Sequence, residues 1–215
     1  MTLDCKVTCM DNNWAAENLQ VIRTLMERSA LYRRALAPVM LVSGAIGTAA
    51  GFVPSFVRID TNRAFAVYWL AVSVVTIAAA LLLVRRQSLK AAEPFLSVPT
   101  KRVLHALLPA FLVGYAAGVF NVLNEHLWRA GLLAMFWVIV YGCAIHAAGF
   151  FMPRGMKLFG WLFVIGGCAI VFASQSWPEL RAAEAGHYIM GGFFGLAHLA
   201  YGVYLYFTEK RSASA

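Results

Sequence analysis

Charge is what this sequence has least of. Asp, Glu, Lys and Arg together make up 13% of its 215 residues, about half the share of a soluble globular domain. Hydrophobic residues reach 61%, so the chain cannot cover itself with a surface of ordinary polarity. Six stretches contain no Asp, Glu, Lys or Arg at all: Ala35 to Val57, Ala64 to Val84, Val103 to Asn124, Ala130 to Pro153, Leu158 to Pro178 and Ala185 to Thr208. Each is 21 to 24 residues long, and a helix of about 20 residues crosses the hydrocarbon core of a bilayer. Helices also satisfy their own backbone hydrogen bonds, which lipid cannot do. The expected fold is therefore all-α: a polytopic membrane protein with six transmembrane helices in a compact bundle. Residues 1–34 form a cytoplasmic N-terminal segment, 35–208 the transmembrane domain and 209–215 a cytoplasmic tail.

The same shortage narrows the chemistry. With no carboxylate or basic side chain at depth, the charged relay of many proton-coupled transporters and pumps is missing. No serine or cysteine nucleophile motif and no phosphate-binding glycine loop has its required context. Cysteines number four. Cys5 and Cys9 fall in the segment expected to be cytoplasmic and reduced, and Cys143 and Cys168 fall inside spans, so no disulfide framework is expected. Two thiols at Cys5 and Cys9 without further nearby ligands make a poor metal site.

The charge that is present is sorted by side. Lys6, Arg23, Arg28, Arg33, Arg34, Arg85, Arg86, Lys90, Lys101, Arg102, Arg154, Lys157, Lys210 and Arg211 lie at one end of the predicted spans, and Arg58, Arg63, Arg129 and Arg181 at the other. The positive-inside rule then puts both termini in the cytoplasm of a bacterial inner membrane. The lipid bilayer, with its anionic headgroups, accounts for the net charge of +8 without a nucleic acid partner. The first apolar run begins only after Arg34 and is long enough to span, so it reads as the insertion signal itself.

Before that run, Ala15, Leu19, Ile22, Met26 and Ala30 recur at helical spacing, with Glu17, Arg23, Glu27 and Arg28 between them. This predicts an amphipathic helix, capped near Asp11 to Asn13, that lies in the headgroup layer, packs under the bundle, or docks a membrane or cytoplasmic protein partner. Connections are short apart from Arg85 to Arg102, which forces consecutive spans into antiparallel contact. "APVMLVSG" in span one resembles "LPAFLVG" in span three, and Tyr141-Gly142 recurs as Tyr201-Gly202, a faint internal repeat. Gly47 and Gly51, Gly114 and Gly118, and Gly191 and Gly195 are spaced four apart. Such pairs let helix backbones approach within the bundle or across a homo-oligomer.

The histidines carry most of the remaining chemistry. His198 falls near the middle of span six and His146 in span four, at depths that differ by roughly 8 Å. A bis-histidine haem would need tilt to level them. Cys143, Cys168 and His198 are closer in depth and suit a soft metal. His126 and His187 lie level at the ends of spans three and six, with Glu125 and Glu184 beside them, a set that could bind a divalent metal or respond to pH. The alternative for each is plainer: a solvated rim for the second group, and for His198 a hydrogen bond to a backbone carbonyl or a tyrosine.

"ENLQVIRTLMERSALYRR" before the first span and "GGFFGLAHLAYGVYLYFTEKR" at the end resemble the corresponding segments of a group of small six-span bacterial inner-membrane proteins. The resemblance implies the six-span plan, with His198 and Tyr201-Gly202 as recurring features, and it implies no activity.

Three functional readings follow. The first is a non-enzymatic sensor, regulator or accessory subunit without a cofactor, binding a membrane partner or a small apolar ligand. The second is a haem- or metal-binding redox protein using His198 with His146 or the cysteines. The third is a small transporter or pore.

Overall fold

Helices form wherever the charge-free stretches lie. The computed structural model describes residues 36–90, 98–124, 126–152 and 154–213. The N-terminal segment, where an amphipathic helix is expected, with Cys5 and Cys9, the middle of the 85–102 connection, Glu125, and the last two residues of the tail lie outside the described residues.

Helix α1 covers Leu36–Ser55 and tightens to a 3-10 turn at Val53–Ser55, where Pro54 removes a backbone donor. Then come α2 (Asn62–Lys90), α3 (Val98–Leu123), α4 (Ala130–Ala148) and α5 (Arg154–Ala173). The last helix, α6, begins as α-helix at Ala183–Met190, widens to π-helix over Gly191–Ala197 and resumes as α-helix at His198–Ala213. It thus stays helical into the stretch expected as a tail. No strand occurs among the described residues. Six helices are long and apolar enough to cross a membrane, as the six windows predict.

Helix starts are fixed from close by and from far away. Thr61 Oγ1 accepts the Ala64 amide at 3.1 Å and caps α2 in the usual way. Helix α4 has no cap of its own: Arg129 precedes it and makes no side-chain cap bond. Instead, Asn62 Oδ1 at the start of α2 accepts the Ala130 amide at 2.9 Å, so one helix caps another.

The burial pattern places α4 at the centre. Half of its apolar window is buried, against 6% for α2 and 11% for α3. Phe65, Leu133, Met135, Val138, Met156 and Phe163 are fully enclosed. The outward faces of α2 and α3 carry Val74, Val75, Leu81, Leu82, Leu112 and Val113, all exposed. An apolar exterior of this extent suits hydrocarbon rather than water.

Glycines set the closest approaches. A Cβ at Gly47 would fall on the Phe194 carbonyl, one at Gly44 would lie 2.5 Å from the Leu199 amide nitrogen, and one at Gly51 would lie 2.8 Å from Gly191 Cα. On the partner helix, a Cβ at Gly195 would lie 2.6 Å from the Thr48 backbone nitrogen. Helices α1 and α6 therefore meet backbone to backbone, and two of the three spaced pairs belong to one contact. The third faces side chains: a Cβ at Gly118 would stand 2.9 Å from both Leu70 and Trp137. Apolar solvent gives helices no hydrophobic drive to associate, so such van der Waals contact is what holds them together.

Candidate functional site

The bundle interior holds two buried histidines, and each is committed through both ring nitrogens. His198, 3% exposed, has Nδ1 3.0 Å from the Phe193 carbonyl and Nε2 2.7 Å from the Tyr141 hydroxyl. A carbonyl can only accept, so Nδ1 carries the proton and Nε2 accepts from the Tyr141 O–H. Both partner types considered for His198 are present at once. Around the imidazole stand Phe159, Phe163 and Phe194 at centroid distances of 5.1, 5.4 and 6.1 Å. This shell excludes water from the pair.

His187, also 3% exposed, has the opposite tautomer. Its Nδ1 accepts the indole N–H of Trp69 at 3.0 Å, and its Nε2 donates to the Ile59 carbonyl at 3.1 Å. It therefore fastens the α1–α2 loop to α6. Phe65 and Tyr68 pack on the ring, with centroids 4.9 and 5.9 Å away. Between the two histidines the π segment changes the register that a uniform α-helix would give. His187 meets α2, and His198 meets α4 and α5.

The other sequence candidates are dispersed. His126 and Glu184 are exposed, whereas His187 turns inward to Trp69, so the three share an end of the bundle without meeting. His146 on α4 has Nδ1 3.4 Å from the Lys157 carbonyl and packs edge-on against Trp161 at 5.3 Å. Among the described residues it shares no hydrogen bond or ring contact with His198. Cys143 and Cys168 are exposed, away from the enclosed His198. No group of three or more His, Cys, Asp or Glu poised for a metal ion occurs among the described residues. Ligation of iron or another metal by His198 would have to displace either Tyr141 from Nε2 or the Phe193 carbonyl from Nδ1.

Beside the His198 shell, a cleft of about 440 Å³ opens between α5 and α6, lined by Leu162, Ile170, Tyr188, Ile189, Gly192, Phe193 and Ala197. It lies along the π segment. Gly192 faces open space, with nothing within 4 Å of where its Cβ would be. Phe193 is wedged over α5, where a Cβ at Gly166 would touch the tip of its ring at 2.7 Å. Its ring meets Phe163 at 5.2 Å, and its carbonyl holds His198. One residue thus has its side chain in the cleft wall and its backbone on the buried imidazole. Irregular helix of this kind, with i→i+5 spacing, is uncommon and concentrates at functional places.

No protein-family model, curated protein or solved structure matches this chain.

Several residues that organise these sites carry little signal in the sequence. Asn121 is fully buried, accepts the Trp128 amide at 3.1 Å and reaches the Asn62 carbonyl across 3.5 Å. As one polar residue in an apolar run it stood among several, and only its partners distinguish it. Trp69 and Phe193 read as two aromatics among 13%, with nothing to mark them as the neighbours of histidines.

Proposed function

We propose that this chain is a non-enzymatic integral protein of a bacterial inner membrane, a sensor, regulator or accessory subunit that takes a small apolar ligand from the bilayer into the α5–α6 cleft. The observation that carries the reading is the double role of Phe193. Its ring walls the cleft, and its carbonyl fixes His198 at 3.0 Å, so an occupant that moves Phe193 also moves the His198–Tyr141 bond between α6 and α4. The absence of charged groups from the six windows supports binding over acid–base chemistry. The cleft is lined almost wholly by apolar side chains, which suits an apolar ligand.

In this reading both termini face the cytoplasm, where fourteen of the eighteen Lys and Arg residues lie. The N-terminal amphipathic segment offers itself to a partner protein there.

The test is native mass spectrometry of the full chain released from lipid nanodiscs. An apolar molecule retained by the wild type and lost in Gly192→Leu supports the reading. Equal retention by both proteins, or none by either, overturns it. An absorbance spectrum and metal analysis of the same preparation address the redox alternative: a Soret band or stoichiometric metal lost in His198→Ala would replace the present reading with it.

A further inference from the structure

We infer that the α5–α6 cleft holds one hydrocarbon chain of a membrane lipid, with the lipid's polar end toward Tyr188. The inference rests on the apolar-ligand reading above and names the ligand class. Both walls belong to helices apolar enough to span, Gly155–Ala173 and Ala183–Thr208, so in a bilayer the medium at the mouth of the cleft is acyl chain.

The lining selects among apolar occupants. Apart from the Tyr188 hydroxyl it offers aliphatic side chains, one phenyl ring and a glycine. Below Tyr188, a quinone carbonyl would find no hydrogen-bond donor and a porphyrin metal no ligand along the walls, and an unpaired polar group there is costly. A chain of methylenes leaves nothing unpaired.

The groove is elongated along α6. Tyr188 to Ala197 is nine residues, about 13 Å of helix axis. The recess beside Gly192 is an open groove on the apolar face of the bundle, of a length that an acyl chain lying along it would follow.

Direction follows from the ends. Tyr188 is 61% exposed and lies one to two turns from the start of α6 at Ala183, the level at which tyrosines sit between headgroup and tail. Leu162 and Ala197 lie deeper. A chain moving from bulk lipid into the groove gains no hydrophobic free energy, because both surroundings are apolar; it gains only packing. Occupancy consequently depends on shape.

The experiment uses the full chain in nanodiscs of phosphatidylethanolamine and phosphatidylglycerol, doped with a phosphatidylglycerol carrying a diazirine at one acyl terminus. After photolysis, adducts are mapped by peptide mass spectrometry. Adducts are expected to concentrate at the Leu162 and Gly192–Ala197 end. They should be lost both in Gly192→Leu and in Leu162→Trp, which fills the groove from the opposite wall, while adducts on the outer faces of α2 and α3 persist. Adducts spread evenly over the exposed apolar surface, or unaffected by both substitutions, would overturn the proposal. A parallel sample receives a diazirine-bearing prenylquinone instead. If that probe labels the cleft and the lipid does not, the acyl-chain inference falls and the apolar-ligand reading stands; if neither labels it, both fall.

Discussion

Tyr141 on α4 donates its hydroxyl proton to Nε2 of His198 on α6 across 2.7 Å, in a volume enclosed by phenylalanine rings. The bond joins the central helix to the helix that carries the π segment. Its other anchor is the Phe193 carbonyl, so the imidazole is a rigid strut between a wall of the cleft and the bundle core.

Replacing Tyr141 with Phe leaves the Nε2 lone pair of His198 buried and unmatched. A loss of about 1 kcal/mol is expected, the scale of side-chain hydrogen bonds between membrane helices. Reversible unfolding in mixed micelles would measure it. The ¹⁵N signals of His198 should move while those of His187 stay, because the two rings hold opposite tautomers and share no partner.

His187 ties the Ile59 carbonyl to α6 and takes the Trp69 indole proton. In His187→Ala both groups lose their partner. Amide exchange at residues 58–61 is expected to rise to the rate of an unanchored loop. Trp69→Phe should raise it less, since it removes only the bond at Nδ1 and leaves the link to Ile59.

The glycines of α6 differ in what surrounds them, and their substitutions should differ in sign. Gly195→Leu drives a side chain into Thr48 and is expected to cost upwards of 1–3 kcal/mol, about the usual penalty for overpacking, with loss of a monodisperse protein after extraction. Gly192→Ala meets open space and restricts the unfolded chain, so a gain of about 0.5–1 kcal/mol is expected. Thermal stability of the two variants, side by side, reads both effects.

Asn121→Leu keeps the branched outline of a fully buried side chain, with bulkier ends, and removes the acceptor for the Trp128 amide. A buried amide left unmatched costs about 1–3 kcal/mol. Because Asn62 caps α4 from the same cluster, the α3–α4 loop should become sensitive to protease in this variant before the helices unfold.

The spans were legible because the bilayer imposes a length and forbids charge, and both are properties of runs rather than of contacts. The Gly47/Gly51 and Gly191/Gly195 pairs were legible as sites of close approach, for spacing fixes a helix face. That they meet each other was not, since spacing says nothing about which partner arrives. His198 showed in the sequence as a histidine at depth with two classes of partner in prospect. Tyr141 could be named only once α4 was seen to occupy the centre. The π segment left no mark beyond three glycines in seven residues, and that segment opens the cleft. His126 and His187 were paired by rise per residue alone; His126 is exposed, whereas His187 turns inward because Trp69 offers it a proton there.

Helix α2 runs for 29 residues, about 43 Å, whereas the hydrocarbon layer of a bilayer is about 30 Å thick. Only 6% of its apolar window is held inside the bundle, and its far end carries exposed Arg85, Arg86 and Lys90. Its near end is pinned, with Arg63 Nε on the Val122 carbonyl at 3.0 Å and Tyr68 on the Ala50 carbonyl at 2.7 Å. Further along, Ser73 Oγ lies 2.7 Å from the Tyr115 hydroxyl on α3, and Ser88 near the far end is buried, so the helix is held at more than one level. A span longer than the hydrocarbon layer is accommodated by tilt, and the exposed charges at the far end limit how far this one can lean.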